Sequence, residues 1–316
     1  MAIFFRNNII SKAFLGKREI KQIFKLNKRL INKSLYNFNS HTFTNASAAG
    51  RFGPTLPNCL TAYSSTEWAN NPLFFNMATQ GIQLWTVPQT GNYTIETWGA
   101  RGGNITDNNY LGGFGSRMKG TFNLTSGDIL KILVGQMGGA LYGGGGGMTA
   151  VAMSTNIPLI ISGGGNTTSP WSSVIVHAVT TTSGTSGQST SNGGINGNGG
   201  GTGRSGSCSG GAGFFTNGVS NGSNASPQSF LNGGNGNINS CNNSIGGFGG
   251  GSASDGCSLG QSGPGGGYSG GGAGLRSSNF GGAGGSYNDG TDQDNSAGNA
   301  GTATLPNNGR VIITKL

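Results

Sequence analysis

Residues 143–151 read GGGGGMTAV and residues 157–165 read IPLIISGGG. One glycine run therefore precedes an apolar segment, and another follows the next apolar segment. Residues 99–301 hold 59 of the 65 glycines in this chain of 316 residues, many of them in such bare runs. Glycine has no side chain to bury, and it loses more conformational entropy on ordering than any other residue. A region this rich in glycine is disordered, is a flexible linker, or packs bare backbone against backbone.

The charge balance and the spacing of apolar residues favour packed backbone. Disordered segments are usually rich in charge, whereas residues 35–316 carry nine Lys and Arg against eight Asp and Glu. Flexible linkers lack apolar anchors, whereas Met148, Phe214, Phe248 and others interrupt these runs. Collagen is excluded, because no triplet period is present and the chain has only 9 prolines. We therefore expect polyglycine-II helices whose backbone groups hydrogen-bond to one another.

Short segments typical of β-strands lie on either side of the glycine runs. They predict an all-β fold, a jelly-roll-like β-sandwich with an inserted polyglycine-II helix bundle. No helical periodicity of useful length follows residue 35. The predicted strands fill 73–98, a second hairpin over 117–135 with its turn at 125–128, a pair at 148–153 and 157–162, a further strand at 172–182, and a closing strand at 310–316.

The order of several sequence blocks resembles a known family. GIQLWTVPQTGNYTIETWGARGG at 81–103, DILKILVGQMGG at 128–139 and GRVIIT at 309–314 are similar to the glycine-rich domain in the ectodomains of the anaplastic lymphoma and leukocyte tyrosine kinase receptors. That module also recurs in viral proteins, and the resemblance covers about residues 51–316. It implies a jelly-roll-like sandwich with inserted polyglycine helices and a ligand-binding or adhesive role, and it does not imply catalysis.

The first 34 residues differ sharply in composition from the rest. They hold nine Lys and Arg against one acid, Glu19, which is +8 of the formal net charge of +9. The segment repeats at a spacing of ten residues, and each unit is predicted as a strand, a turn and a strand. It resembles short N-terminal segments of bacteriophage virion proteins, which implies a basic, hairpin-type anchor that binds other virion proteins. The anchor residues are Phe14, Leu15, Lys17, Arg18, Ile20, Phe24, Lys25, Lys28 and Arg29.

Two alternatives remain for this basic segment. Organelle transit peptides are also basic and poor in acids. Interleaved Phe and Lys are compatible with single-stranded nucleic acid, and basic charge with an anionic membrane. Because no recognisable nucleic-acid fold surrounds the segment and its apolar stretches are short, we expect no nucleic-acid partner and no membrane span. The predicted domains are a 1–34 anchor, a 35–50 linker and a 51–316 glycine-rich domain.

No motif in the chain predicts chemistry. His41 falls in the predicted linker and His177 in a predicted strand, and neither has a nucleophile, metal or carboxylate-pair motif around it. We therefore expect no enzyme, no cofactor and no metal site. The cysteines lack the paired spacing of a zinc ribbon, and two disulfides or free thiols both fit them. They are Cys59, Cys208, Cys241 and Cys257.

These features predict a virion structural protein exposed on the particle, a tail fibre or adhesin for host attachment, and a homo-oligomer with a trimer favoured. Functional residues tend to lie on loops held by a rigid scaffold, so aromatic residues in the glycine region are candidate contacts to a host glycan or protein. Each of them is alternatively a buried spacer. They are Trp171, Phe214, Phe215, Phe230 and Phe280. Two other functions stay open, a purely structural capsid or tail decoration protein and a secreted or surface cytokine-type binding module.

Overall fold

The computed structural model of this chain is an all-β sandwich of two antiparallel sheets. It describes residues 34–104, 111–139, 143–168, 174–188, 191–202, 208–220, 225–239, 244–254, 262–274, 280–298 and 307–316, and the backbone of 14–15 and 18–19. In chain order the strands are β1 (Phe14–Leu15), β2 (Arg18–Glu19), β3 (Ser40–Phe43), β4 (Phe75–Thr79), β5 (Ile82–Thr86), β6 (Gly91–Trp98), β7 (Arg117–Leu124), β8 (Ile129–Leu133), β9 (Thr149–Met153), β10 (Pro158–Ser162), β11 (Tyr287–Asn288) and β12 (Arg310–Lys315).

One sheet has six strands in the order β11–β10–β9–β8–β5–β4, and the other has four in the order β3–β12–β6–β7. The predicted strands over 73–98 and the β9–β10 hairpin are confirmed, with Ala150 opposite Ile161. The closing strand is also confirmed, since β12 lies between β3 and β6. The sandwich is therefore confirmed, and its jelly-roll type stays a prediction.

The predicted hairpin over 117–135 is wrong. β7 pairs with β6, whereas β8 pairs with β5 and β9, so the turn at 125–128 crosses from one sheet to the other. Backbone bonds hold that turn against the connection from β5 to β6, which also crosses between the sheets. The Val87 N–H donates to Asp128 O (2.8 Å), and the Gly127 N–H donates to Val87 O (2.9 Å). Alternation in sequence identifies the buried face of a strand, and that pattern is the same for a hairpin and for a crossing.

Two further predictions about secondary structure are wrong. The described part of the 172–182 segment forms no strand, because its backbone groups bond to glycine segments: the Asn166 N–H donates to Val176 O (3.2 Å). A helix, α1 (Leu56–Ala62), was not expected from the periodicity. It is short and is set by its cap, where Thr55 accepts from the Asn58 N–H and the Asn58 side chain accepts from the Thr55 N–H.

Residues 35–50 are not a linker, because they contribute β3 to the four-stranded sheet. Phe43 lies opposite Val311 and is fully buried. The side chains of β3 alternate between exposed and buried positions, so His41 and Phe43 both face the core. The sandwich therefore begins within the segment that was predicted to connect it to the anchor.

The molecule has two apolar cores. The first lies between the two sheets and is dominated by aromatic rings, among them Trp85, Tyr93 and Phe75. The second includes residues on the opposite face of the six-stranded sheet, such as Leu133, and apolar residues of the glycine region, such as Phe248. The six-stranded sheet therefore contributes to both cores, one of them shared with the glycine segments.

The glycine segments form a bundle joined by backbone hydrogen bonds, as predicted, and these bonds point in three directions. The consecutive N–H groups of 145, 146 and 147 donate to three different segments, at Ser252 O, Gly165 O and Gln136 O (2.8, 2.9 and 3.0 Å). A β-strand directs successive groups to two sides, whereas a polyproline-II helix has three residues per turn. Residues 265–267 repeat the pattern toward Gly282, Gly146 and Ala212.

The bundle continues from one end of the sandwich, which we call the bundle pole. There β6, β8 and β10 run into glycine segments, and β7 and β9 emerge from them. The two sheets are joined at this end by backbone and hydroxyl bonds. The Gly309 N–H donates to Gly135 O (2.8 Å), and Thr97 Oγ1 lies 2.7 Å from Ser162 Oγ.

The opposite end of the sandwich, which we call the anchor pole, carries the described start of the domain. The Leu35 N–H donates to Pro88 O (2.8 Å), in the crossing from β5 to β6. The C-terminal Leu316 lies at the same end, because its N–H donates to Asn92 O (2.9 Å) at the start of β6. The chain therefore enters the sandwich at the anchor pole, and the glycine segments continue from the opposite end, the bundle pole.

Candidate functional site

The predicted anchor is described only in its first unit. β1 and β2 pair antiparallel, with Phe14 opposite Glu19 and Leu15 opposite Arg18. The two strands predicted for this unit are confirmed, and its predicted turn lies outside the described residues. The remaining anchor residues, Lys17, Ile20, Phe24, Lys25, Lys28 and Arg29, lie outside the described residues.

Two of the five aromatic contact candidates are buried, so the prediction is wrong for them. Phe214 and Phe230 are 0% and 1% exposed and stack on each other with ring centroids 4.6 Å apart. Both belong to the second core, beside Leu133 and Phe248. Bare glycine backbone has no side chains to pack against a sheet, so these rings fill the space, as the spacer alternative predicts.

The other three candidates have different outcomes. Phe215 is 39% exposed, with its ring edge-on to Phe214 and 6.2 Å from the ring of Tyr268. Phe280 is half-buried. Trp171 lies outside the described residues. Phe215 is therefore the one predicted contact that the structure describes as exposed.

Phe215 belongs to a surface built by three neighbouring segments, 192–201, 214–219 and 229–232, which we call the loop surface. Backbone bonds join the first two, since the Phe215 N–H donates to Gly197 O (2.9 Å) and the Val219 N–H donates to Gly200 O (3.1 Å). The third is joined through Asn217, whose Oδ1 accepts from the Ser229 N–H (2.9 Å). The segments are thus held in a fixed relation by hydrogen bonds.

The loop surface exposes aliphatic residues that sequence reasoning missed. Ile195 is 59% exposed, and Val219 and Leu231 are also exposed. Asn196 and Gly197 adopt positive φ values of 53° and 81°, which is the conformation of a tight turn. The Asn-Gly pair that follows Ile195 was the available signal, because it marks a turn tip on which an apolar residue is left in solvent.

A cleft of about 530 Å³ opens on this surface. Its polar side chains are Ser186, Asn192 and Asn198, and its apolar ones are Ile195 and Val219. Glycines 184, 193, 194, 199 and 201 complete the lining. The described cleft therefore combines amide and hydroxyl groups with aliphatic carbon.

The charge of the molecule is not distributed evenly. None of the described residues from 143 to 288 is Asp, Glu, Lys or Arg. The two ion pairs of the described chain are on the sandwich side, where Arg117 contacts Glu96 (2.6 Å) and Asp294 (3.0 Å). Arg117 and Arg310 also lie over the ring of Trp98. A ligand of the described bundle surface would meet neutral groups.

The histidines and Cys59 form no catalytic arrangement. Burial lowers the pKa of His41 to about 4, and three rings pack edge-on against it, those of Phe43, Tyr63 and Trp68. His177 Nδ1 accepts from the Phe114 N–H (2.9 Å), and burial, with Arg101 nearby, lowers the pKa of His177.

The cysteines cannot form two disulfides, because Cys59 is a free thiol. Burial raises the pKa of Cys59 to about 12, so the thiol is neutral and unreactive in the folded state. Cys241 and Cys257 lie outside the described residues. Across the described parts of the chain, no three residues among His, Cys, Asp and Glu come together as metal ligands would.

Comparison with known proteins shows a partial similarity to a receptor. No protein-family model matches the chain. Part of it is similar to a receptor. Over 101 residues, or 30% of the chain, it is 39% identical to the leukocyte tyrosine kinase receptor of Mus musculus. The match spans 11% of the length of that receptor.

This match confirms the leukocyte tyrosine kinase receptor part of the predicted resemblance and leaves the virion resemblance a prediction. The described residues contain no helix that is both long and apolar enough to cross a membrane. The receptor match covers too little of either protein to transfer the activity of the whole receptor to this chain.

Proposed function

We propose that the chain is a structural protein of a bacteriophage virion, a tail fibre or surface adhesin that attaches the particle to its host. The observation that carries this proposal is the opposition of the two poles. The chain enters the sandwich at the anchor pole, beside Pro88, and the glycine segments continue from the other pole. If the basic N-terminal segment is bound to the particle, the bundle points away from the particle surface.

The construction of the bundle also favours this role. Its helices are held by backbone bonds rather than by side chains, so the loops that join them can change sequence without loss of the scaffold. The loop surface, with Phe215 and Ile195 exposed, is such a set of loops. We propose it as the host-contacting surface, and we propose a homotrimer as the form carried on the particle.

The receptor similarity supports a second candidate, a secreted or surface module that binds a protein ligand. A purely structural decoration protein is the third, and it has the same anchor without a host contact. The location of the protein, on particles or outside them, distinguishes the secreted module from the adhesin. The adsorption of particles to host cells distinguishes the decoration protein from the adhesin. Both properties can be measured on particles.

The anchor is tested by deleting residues 1–33 in the virus that encodes the chain. Particles are purified on a density gradient and probed for the protein. We expect full-length protein in the particle band and the truncated protein only in the soluble fraction, with an unchanged melting temperature for its sandwich. Truncated protein found on the particles at the normal level would overturn the anchor.

The contact role is tested on particles that carry the loop variant Ile195→Ser with Phe215→Ser. The matched control is Ile157→Ser, because Ile157 is 57% exposed but lies in the β9–β10 turn of the sandwich. We expect normal incorporation of both proteins and slower adsorption to host cells for the loop variant alone. Equal adsorption would favour the decoration protein, and a protein found only outside particles would favour the secreted module.

A further inference from the structure

Several backbone N–H groups that line the cleft of the loop surface already donate hydrogen bonds within the protein. The Gly184 N–H donates to Gly194 O (2.9 Å), and the Gly194 N–H donates to Gly270 O (2.8 Å). The Gly199 N–H donates to Thr216 Oγ1 (2.9 Å). Hydrogen bonds to a ligand must therefore come largely from side chains.

Two exposed amides supply those side-chain groups. Asn192 and Asn198 both line the cleft and are exposed. Asn198 Nδ2 donates to Ile195 O (3.0 Å), which fixes the direction of that amide. Asn198 Oδ1 also accepts from Thr216 Oγ1 (3.3 Å). An Asn side chain offers two donors and two acceptor lone pairs, so these two internal bonds leave one donor and one lone pair of Asn198 available.

Gly201, which lines the cleft, is packed less tightly than most glycines of the bundle. At Gly145 an added methyl group would overlap the carbonyl oxygen of Pro264, and at Gly266 that of Gly249. At Gly201 the nearest protein atom to such a methyl would be Asn192 O, 3.3 Å away. Gly201 lines the cleft, and a larger side chain there would press on Asn192 and narrow the cleft.

The chemistry of this lining selects one class of ligand. The described residues that line the cleft carry no charge, so an anionic or cationic group would find no ion-pair partner among them. Amide side chains beside exposed Ile195 and Val219 suit a molecule with hydroxyl groups on its edge and C–H groups on its face. A volume of about 530 Å³ is within the range of small-molecule sites.

We infer that this cleft binds an uncharged saccharide unit of a host-surface glycan. The hydroxyl groups of the sugar exchange hydrogen bonds with Asn192 and Asn198, and its apolar face covers Ile195 and Val219. Gly201 is the floor on which the ring rests. This inference rests on the proposed attachment function and names the class of its receptor.

The direct test uses the purified full-length protein and saturation-transfer NMR. The probes are glucose, galactose and N-acetylglucosamine with their disaccharides, and sialyllactose is the charged comparison. We expect transfer to at least one neutral sugar, at least about tenfold weaker binding in Asn192→Ala and Gly201→Val, and no change in the control Ile157→Ser. Circular dichroism and melting temperature establish that each variant is folded.

The outcomes separate this inference from the proposed function. Transfer to no neutral sugar, or transfer unaffected in folded Asn192→Ala and Gly201→Val, overturns the saccharide cleft, and particle adsorption that still depends on the loop surface then indicates a protein receptor. Sugar binding that is lost in Gly201→Val while particle adsorption is unchanged supports the saccharide cleft and overturns its role in attachment. A preference for sialyllactose would overturn the neutral specificity.

Discussion

The sandwich and the glycine bundle of this chain are stabilised by opposite means. The sandwich buries large rings between two sheets, with Trp85 and Tyr93 fully enclosed. The bundle buries few large side chains, such as Phe214 and Phe248 where it meets the sheet, and joins its helices through backbone hydrogen bonds in three directions. Burial of apolar surface is non-directional, whereas each hydrogen bond has a fixed geometry.

This difference determines which mutations each region tolerates. A core of side chains loses stability when atoms are removed, because a cavity remains. A bundle of bare backbones loses stability when atoms are added, because the space for a methyl group is already occupied by a neighbouring carbonyl. The two regions should therefore respond in opposite ways to substitutions of similar size.

The largest effect is expected for Gly145→Ala. The new methyl would overlap the carbonyl oxygen of Pro264, which accepts the Ser252 N–H bond (3.0 Å) and belongs to a neighbouring helix. Separating two helices breaks several bonds at once, so we expect a loss above about 4 kcal/mol or failure to fold. Denaturant unfolding followed by circular dichroism measures it.

Gly91→Ala is the control for that experiment. Gly91 begins β6, and an added methyl would meet only the Lys315 side chain, at 4.0 Å. We expect a change within about 0.5 kcal/mol. Equal stability of the two variants would show that the glycine runs are loose loops rather than packed helices.

The next effect concerns a deletion in the sandwich, Phe43→Ala. Phe43 is fully buried between Tyr63, Trp68 and Trp85. Removing a buried phenyl ring typically costs about 3–5 kcal/mol. The control is Phe52→Ala, since Phe52 is 46% exposed beneath Arg51 and should cost less than about 1 kcal/mol. If both variants melted alike, residues 35–50 would be the linker that composition suggested.

Much of the fold could be predicted because two of its signals are local. Alternation of apolar residues marks strands such as β6, and glycine runs that enter and leave those strands mark a bundle connected to the sandwich. The sheet to which each strand belongs is a long-range property. The turn at 125–128 has the sequence of a hairpin turn, and only the pairing of β7 with β6 and of β8 with β5 reveals the crossing between sheets.

The candidate site was predicted less well, because exposure depends on three-dimensional packing. Phe214 and Phe215 are adjacent in sequence and have opposite environments, one stacked on Phe230 and the other at the surface. The bundle needs apolar spacers where it meets the sheet, so an aromatic residue among glycines is a spacer or a contact. The turn signal after Ile195 was the more specific guide to the surface.

The smallest expected effect is a pH dependence that distinguishes the two regions. Burial lowers the pKa of His41 from 6.5 to about 4, and its Nε2 atom is buried without a hydrogen-bond partner. The unfolded chain therefore takes up a proton below pH 6.5 that the folded chain refuses until about pH 4. The neutral histidine stabilises the fold fully above pH 6.5, and this stability falls by up to about 1.4 kcal/mol per pH unit across that window.

This loss of stability at low pH arises in the sandwich, because His41 packs on Phe43 and Trp68 in its core. The pKa of His177 is also lowered, so a shallower slope of the same sign should remain when His41 is replaced. We expect denaturant unfolding between pH 7 and pH 4.5 to show a steeper stability loss in the native chain than in His41→Phe. An equal slope in the two proteins would assign the acid sensitivity to the other titrating groups, and would mean that protonating His41 costs the folded sandwich nothing.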